Sequence, residues 1–181
     1  HEDEFKAKSH NKNIKIIQYF EKMWEIVLDE YSQQTRKDVE RIASETFMKI
    51  TNNKDGLSGI ILNENFGLTV LDTDKLPVQA VTPGMMQCAA ISLIDSLRQL
   101  SNIVFPILFD TPGQSIDKTH RQNIVNYFWT ERDIQFIIIP SSGEYDMEET
   151  EIKYNHLLAK TWELDFDSSA NKTKVRNRLC N

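Results

Sequence analysis

The chain has 181 residues, 40% of them hydrophobic with nine Phe, which suits one domain with a real core and a helical extension. Its formal net charge of −6 gives no global attraction to nucleic acid or an anionic membrane, so any DNA contact has to come from a local patch. No run approaches the roughly 20 apolar residues of a membrane span, the His1-Glu-Asp-Glu start is unlike a signal peptide, and Cys88 and Cys180 read as reduced thiols, so a cytoplasmic protein without a membrane partner is expected.

From Asn13 to Ile50 there is neither Pro nor Gly. Ile17, Phe20, Trp24, Val27 and Tyr31 recur in steps of three and four, a narrow apolar stripe on a helix. The register lapses at Gln34 and Asp38 and resumes with Val39, Ile42, Phe47 and Ile50. Two readings fit: an amphipathic helix packed on its own domain, or one arm of a coiled coil leaving it. Asn52-Asn-Lys-Asp-Gly56 is turn chemistry. Leu57–Leu62 and Phe66–Leu71 are β-rich runs around Asn63-Glu-Asn65, which predicts an antiparallel hairpin. After a turn over Asp72–Pro77, Met85–Leu100 predicts a helix with Ala89, Ala90, Leu93, Ile94, Leu97 and Leu100 on one face.

Ile103–Phe109 is short and continuously apolar, as in a parallel strand buried on both faces. Asp117–Phe128 is helical in pattern and Gln135–Ile139 is a second apolar strand. Strand, helix, strand implies a right-handed crossover and a parallel pair. Beyond Pro140, Glu144, Asp146, Glu148, Glu149 and Glu151 form an acidic run that reads as a solvated face. Lys160–Asp167 and Lys172–Arg178 predict a closing hairpin around Ser168-Ser-Ala-Asn171. It sets Lys172, Lys174, Arg176 and Arg178 on one face, as a charge-protected edge or a phosphate contact.

Four short segments carry chemistry. Asp110 ends an apolar strand, where open α/β sheets bind ligands; it either holds Mg²⁺ beside a nucleotide or caps the turn Thr111-Pro112. Asp117 is a credible helix N-cap. Thr82-Pro-Gly84 opens the second helix, as an anion site or as an ordinary cap. Ser141-Ser-Gly143 follows the second strand, as a plain turn or as hydroxyls within reach of a γ-phosphate. The four His show no metal-ligand spacing.

The order of these parts resembles the C-terminal lobe of an ABC-type P-loop NTPase head of the SMC-like group, which includes SMC proteins, SbcC-type repair ATPases and DndD-like proteins of DNA phosphorothioation. The resemblance implies an α/β fold with parallel core strands, an antiparallel hairpin and an N-terminal long helix or coiled-coil arm, divided as arm 1–50 and head lobe 51–181. Val81-Thr-Pro-Gly-Met-Met-Gln87 falls on the signature Leu-Ser-Gly-Gly-Glu-Lys-Gln, which makes Thr82, Gly84 and Gln87 nucleotide-binding positions. Ile107-Leu-Phe-Asp110 matches Walker B, with Asp110 toward Mg²⁺. Thr111 stands at the position of the catalytic glutamate, and the Asp-Thr-Pro form, with His120-Arg121-Gln-Asn-Ile124, looks like the DndD-like branch. Gln114-Ser-Ile-Asp117 matches the D-loop, which makes Asp117 a further nucleotide-binding position, and Gln135-Phe-Ile-Ile-Ile-Pro-Ser-Ser142 the switch strand, with Ser141 in place of the switch histidine. Pro83 and Met85 depart from the signature.

No Gly-x-x-x-x-Gly-Lys-[Ser/Thr] occurs in the 181 residues, so no P-loop is present in them. The resemblance implies that the P-loop lies in an N-terminal half beyond the coiled coil. It further implies ATP and Mg²⁺ at an interface between two heads, a homodimer, DNA as the substrate, and a nuclease or modification subunit as a further partner. A catalytically degenerate lobe that only dimerises or docks a partner is the alternative.

Overall fold

A computed structural model describes residues 2–51, 56–101, 103–111, 115–132, 134–141 and 143–178. The expected turn at 52–55, the Pro112–Gln114 part of the D-loop match, Ser142 and Cys180 lie outside them. The chain divides into two compact units between Val104 and Phe105.

The first unit begins with α1 (Glu2–Ile50). Both readings of this helix hold, in different stretches. Every residue from 12 to 34 is exposed, an arm without a neighbour among the described residues. Val39, Ile42, Ala43, Phe47 and Ile50 are buried and form the root of the helix. The root packs on β1 (Leu57–Leu62) and α2 (Pro83–Ser101). β1 pairs antiparallel with β2 (Leu68–Asp72), the expected hairpin. Asn63 Oδ1 closes the loop between them by accepting from Asn65 N and Gly67 N.

Polar side chains spaced four apart on α1 lie along the outer edge of β1. Arg36 Nη1 donates to Leu62 O at 2.9 Å, Leu62 N donates to Glu40 Oε2 at 2.8 Å, and Ser44 Oγ both donates to Ile60 O and accepts from Ile60 N. The edge is thereby satisfied without a third strand. Gly59 makes the close approach possible: its φ is +147° at a bulge, and a Cβ there would stand 3.0 Å from Ser44 Oγ.

The face of α2 corrects the sequence reading. Its buried residues are Cys88, Ala89, Ile91, Ser92, Asp95 and Ser96, whereas Ala90 is exposed and Ile94 and Leu97 are 45% and 50% exposed. Small side chains let the helix approach α1 closely, and the polar ones are satisfied in place. Ser92 Oγ bonds Cys88 O, and Asp95, fully buried, receives Arg98, Gln99 and, across the helix pair, Thr46 Oγ1 at 3.3 Å.

In the second unit β3 (Ile107–Asp110) and β4 (Phe136–Ile139) pair in parallel, joined through α3 (Lys118–Thr130). On the face covered by α3, Phe128 stacks on Phe136 at 4.7 Å and meets Phe109 edge-on at 5.7 Å. The opposite face is open: Leu108, Ile137 and Ile139 are 57%, 37% and 39% exposed. Burial on both faces, expected from the continuous apolar runs, is therefore not met by the described residues of this unit. Ile103, Val104 and Phe105 are exposed and precede the strand rather than belong to it.

The acidic run holds a helix the sequence pattern did not reveal, α4 (Met147–Tyr154), capped by Asp146 and packed on α3 through Trp129 and Tyr154. The expected closing hairpin is β5 (Trp162–Asp167) with β6 (Lys172–Asn177). Its basic stripe is largely neutralised within the unit: Lys174 pairs with Asp167, Arg176 with Asp165, and Arg178 with Glu151. The edge-protection reading fits this arrangement better than a bare phosphate contact. No helix among the described residues is long and apolar enough to cross a membrane.

Candidate functional site

In the first unit, Thr82 is the cap of α2: its Oγ1 accepts from Met85 N at 3.2 Å, and Pro83 follows as the first helical residue, where its missing N–H costs nothing. The Thr82 hydroxyl is exposed at the helix N-terminus, with Gly84 and Gln87 half-buried behind it. Both roles open from the sequence, cap and anion contact, remain compatible with this geometry, because the capping oxygen keeps its own proton to donate.

In the second unit the parallel register sets Asp110 opposite Ile139, so the chain leaves both strands at the same edge. Alternation along β3 turns Asp110 to the side of Leu108, the uncovered face. Its carboxylate is exposed and has no hydrogen-bond partner among the described residues. Thr111 N donates to Ile139 O at 2.8 Å, extending the ladder by one bond, and Thr111 then turns back at φ +48°. A β-branched residue at positive φ is a true outlier, and such strain concentrates at ligand-binding turns.

Asp117 is bound on both oxygens. Oδ1 accepts from His120 N at 2.9 Å as the cap of α3, and Oδ2 faces His120 Nδ1 at 2.7 Å. The His120 N–H bond, assisted by the imidazole, holds the Asp117 carboxyl below the ordinary 3.8. Ser141, exposed, lies just past β4 on the edge that carries Asp110.

Sequence reasoning missed Glu144. It is 7% exposed, and its Oε2 accepts from Ser141 N at 2.6 Å, so a buried carboxylate stabilises the turn on which Ser141 stands. Its neighbour Tyr145 has a buried hydroxyl without a hydrogen-bond partner among the described residues, and burial pushes that phenol up to about 12. Tyr145 lines a cleft of about 230 Å³ between α3 and α4 with Arg121, Glu149 and Lys153. Nothing in residue type alone separates Glu144 from the solvated acids that follow it. Its spacing of three from Ser141 is the only signal.

Thr82, Gly84 and Gln87 belong to the first unit, and Asp110, Thr111, Asp117 and Ser141 to the second. Among the described residues no group of three or more His, Cys, Asp or Glu could hold a metal ion. Asp110 as a lone carboxylate nevertheless suits Mg²⁺, which keeps several waters and binds through one or two carboxylates together with substrate phosphates.

No family profile matches the sequence, and no curated protein does so. Solved structures do match the fold. An SMC ATPase structure from work on ATP-driven dimerisation and DNA-stimulated activation is 17% identical, with a TM-score of 0.55 over 80% of this chain and 85% of that one. The Smc head domain of Pyrococcus yayanosii, with a coiled coil and joint, is 19% identical, with a TM-score of 0.60 over 91% of this chain and 30% of that one. The Pyrococcus furiosus Smc head with an extended coiled coil, bound to the C-terminal domain of ScpA, is 17% identical, with a TM-score of 0.55 over 78% of this chain and 34% of that one. The chain has the α/β fold of the C-terminal lobe of an SMC head and spans about a third of either Pyrococcus chain.

Proposed function

We propose that this chain is the C-terminal lobe of an SMC-like ATPase head, which binds and hydrolyses ATP with Mg²⁺ at an interface between two heads and so drives DNA binding or processing. The observation that carries it is Asp110, a carboxylate without a partner among the described residues at the shared exit edge of two parallel strands, followed at once by the strained Thr111. Bound there, Mg²⁺ would neutralise charge on the phosphates and fix their position. Asp110 would hold the ion through its water shell, Thr111 and Ser141 would supply hydroxyls to the phosphates or the attacking water, and Asp117 stiffens the start of α3. Thr82 and Gly84 offer a hydroxyl and the Gly84 N–H at the helix N-terminus to a phosphate bound by a second head.

The fold likeness supports this reading, and the open apolar faces of the second unit suit a complementary N-terminal half that brings the P-loop. A DndD-like role in DNA modification, repair or phage defence rests on the Asp-Thr-Pro turn and the His120-Arg121 segment. A soluble cytoplasmic setting, and a nuclease or modification subunit as a further partner, belong to the same reading.

A second reading, a degenerate lobe that only dimerises or docks a partner, is favoured by Thr111 and Ser141 standing where a glutamate and a histidine are expected. Turnover separates the two. Joined to a P-loop half, the wild-type chain hydrolyses ATP, and Asp110→Asn abolishes hydrolysis while ATP binding persists. Equal turnover in the variant removes Asp110 from the site, and no turnover in the wild type leaves the docking lobe.

A further inference from the structure

The cleft between α3 and α4 is not part of the proposed nucleotide edge: none of Asp110, Thr111, Asp117 and Ser141 lines it. At about 230 Å³ it is smaller than the roughly 300–1,000 Å³ of sites for drug-sized ligands, and suits a small group. Three segments wall it: α3 with Lys118 and Arg121, the turn before α4 with Glu144 and Tyr145, and α4 with Glu149 and Lys153. The Tyr145 hydroxyl is buried and has no hydrogen-bond partner among the described residues. A phenol is protonated at neutral pH and has one O–H to donate, so a buried one calls for an acceptor.

With Asp146, three acids face three cations around the cleft, but the acids are engaged within the unit. Glu144 accepts from Ser141 N, Asp146 accepts from Glu149 N as the cap of α4, and Glu149 takes Lys118 at 3.0 Å. Lys153 meets no carboxylate among the described residues and lies over the Tyr154 ring, 5.0 Å from its centroid. That contact leaves its N–H donors available. Arg121 carries five N–H donors in a fixed fork, more than one partner can use, and both its charge and that of Glu144 are felt at the Tyr145 phenol.

We propose that this cleft binds a terminal phosphate group, as inorganic phosphate or a small phosphomonoester, between Arg121, Tyr145 and Lys153. The three donors stand on three different walls. A tetrahedral oxyanion presents an oxygen to each, whereas a planar carboxylate has all its acceptor sites in one plane. The guanidinium fork matches two phosphate oxygens at once, and the ammonium serves as a point charge. A phosphodiester leaves only two unesterified oxygens and one negative charge for the same donors. The buried Glu144 carboxylate adds repulsion, which holds the affinity to the millimolar range and favours a ligand that meets all three donors together.

Titration of the 181-residue chain with inorganic phosphate at constant ionic strength, followed by amide NMR shifts, tests this. One saturable site is expected, with a Kd on the order of 1 mM and shifts concentrated in residues 118–125 and 143–154. Tyr145→Phe keeps the ring, loses only the donor and weakens binding about tenfold. Lys153→Met weakens it about threefold, as for an exposed charge. Lys160→Met, which removes a lysine over the Trp162 ring outside the cleft, leaves binding unchanged. Glycerol 3-phosphate binding more tightly than inorganic phosphate assigns the site to a phosphomonoester, and the reverse order assigns it to free phosphate. Dimethyl phosphate and succinate bind about tenfold more weakly than either. Far-UV circular dichroism confirms that each variant keeps its fold. Absence of a saturable site, shifts confined to other residues, wild-type affinity in Tyr145→Phe, or equal binding of dimethyl phosphate or succinate overturns the proposal. A lobe without ATPase activity would leave these outcomes unchanged, so the two readings fail separately.

Discussion

The carboxylate of Asp117 takes the His120 N–H on one oxygen and faces the imidazole on the other, and the two bonds bear on stability in a way that pH can expose. Its pKa in the folded chain lies below the ordinary 3.8, chiefly through the backbone bond. The stabilisation is therefore fully present above the unfolded value near 3.8 and is lost as pH falls through the lower folded value. Asp117→Ala is expected to cost about 1 kcal/mol at pH 7, as for loss of a helix cap, and Asp117→Ser much less. Urea denaturation at pH 7 and at pH 3 checks this: the gap between wild type and Asp117→Ala narrows at the lower pH. An unchanged gap would assign the effect to something other than the ionised cap.

The pair α1·α2 turns on one residue that sequence patterning places badly. Asp95 is fully buried and joins Arg98 and Gln99 on its own helix to Thr46 on α1. Asp95→Ala strands the guanidinium of Arg98, whose side chain is only 10% exposed, and is expected to destabilise the chain by about 3 kcal/mol or more. Asp95→Leu combined with Arg98→Met removes both charges and is expected to recover most of that loss. Thermal or urea unfolding of the two variants reads the difference, and equal losses would show that packing rather than the uncompensated charge matters. The same residue explains which parts of the molecule are legible in sequence. The hairpins β1–β2 and β5–β6 and the caps Thr82 and Asp117 follow from alternation, turn residues and local hydrogen bonds, all of which act within a few positions, and the parallel pair follows from two short apolar runs joined through a helix. The buried face of α2 does not, because Ser92, Asp95 and Ser96 look like solvent residues, yet the two serines bond carbonyls of their own helix and Asp95 finds a partner in Thr46, 49 positions away. α4 is hidden for the related reason that an eight-residue helix is held chiefly by Tyr154 and the Asp146 cap. Asp110 and Thr111 are legible as a strand end; the positive φ of Thr111 and the buried Glu144 emerge only in three dimensions.

Each unit of the molecule leaves apolar surface that its own residues do not cover. In the second unit this is the open face of β3 and β4 and one side of the β5–β6 hairpin, where Trp162, Leu164, Phe166 and Val175 are 55% to 64% exposed. The other side of that hairpin is laddered by Lys174, Arg176 and their acidic partners, so it is two-faced, with charge toward water and apolar side chains left over. Fully burying one such side chain contributes roughly 1.5–3 kcal/mol, and contiguous patches of this kind mark interaction surfaces. A half-head that supplies the P-loop would meet the open β3–β4 face, because a strand pair with parallel register and uncovered Leu108, Ile137 and Ile139 has the pattern of an interior sheet cut at one layer. Amide hydrogen exchange on the chain, alone and with a P-loop half, decides the matter. The amides of β3, β4, β5 and β6 gain protection in the complex, while those of the arm between residues 12 and 34 do not unless that half also carries a returning helix. Protection confined to the arm would place the partner on the coiled coil instead, and the open faces would then need another occupant.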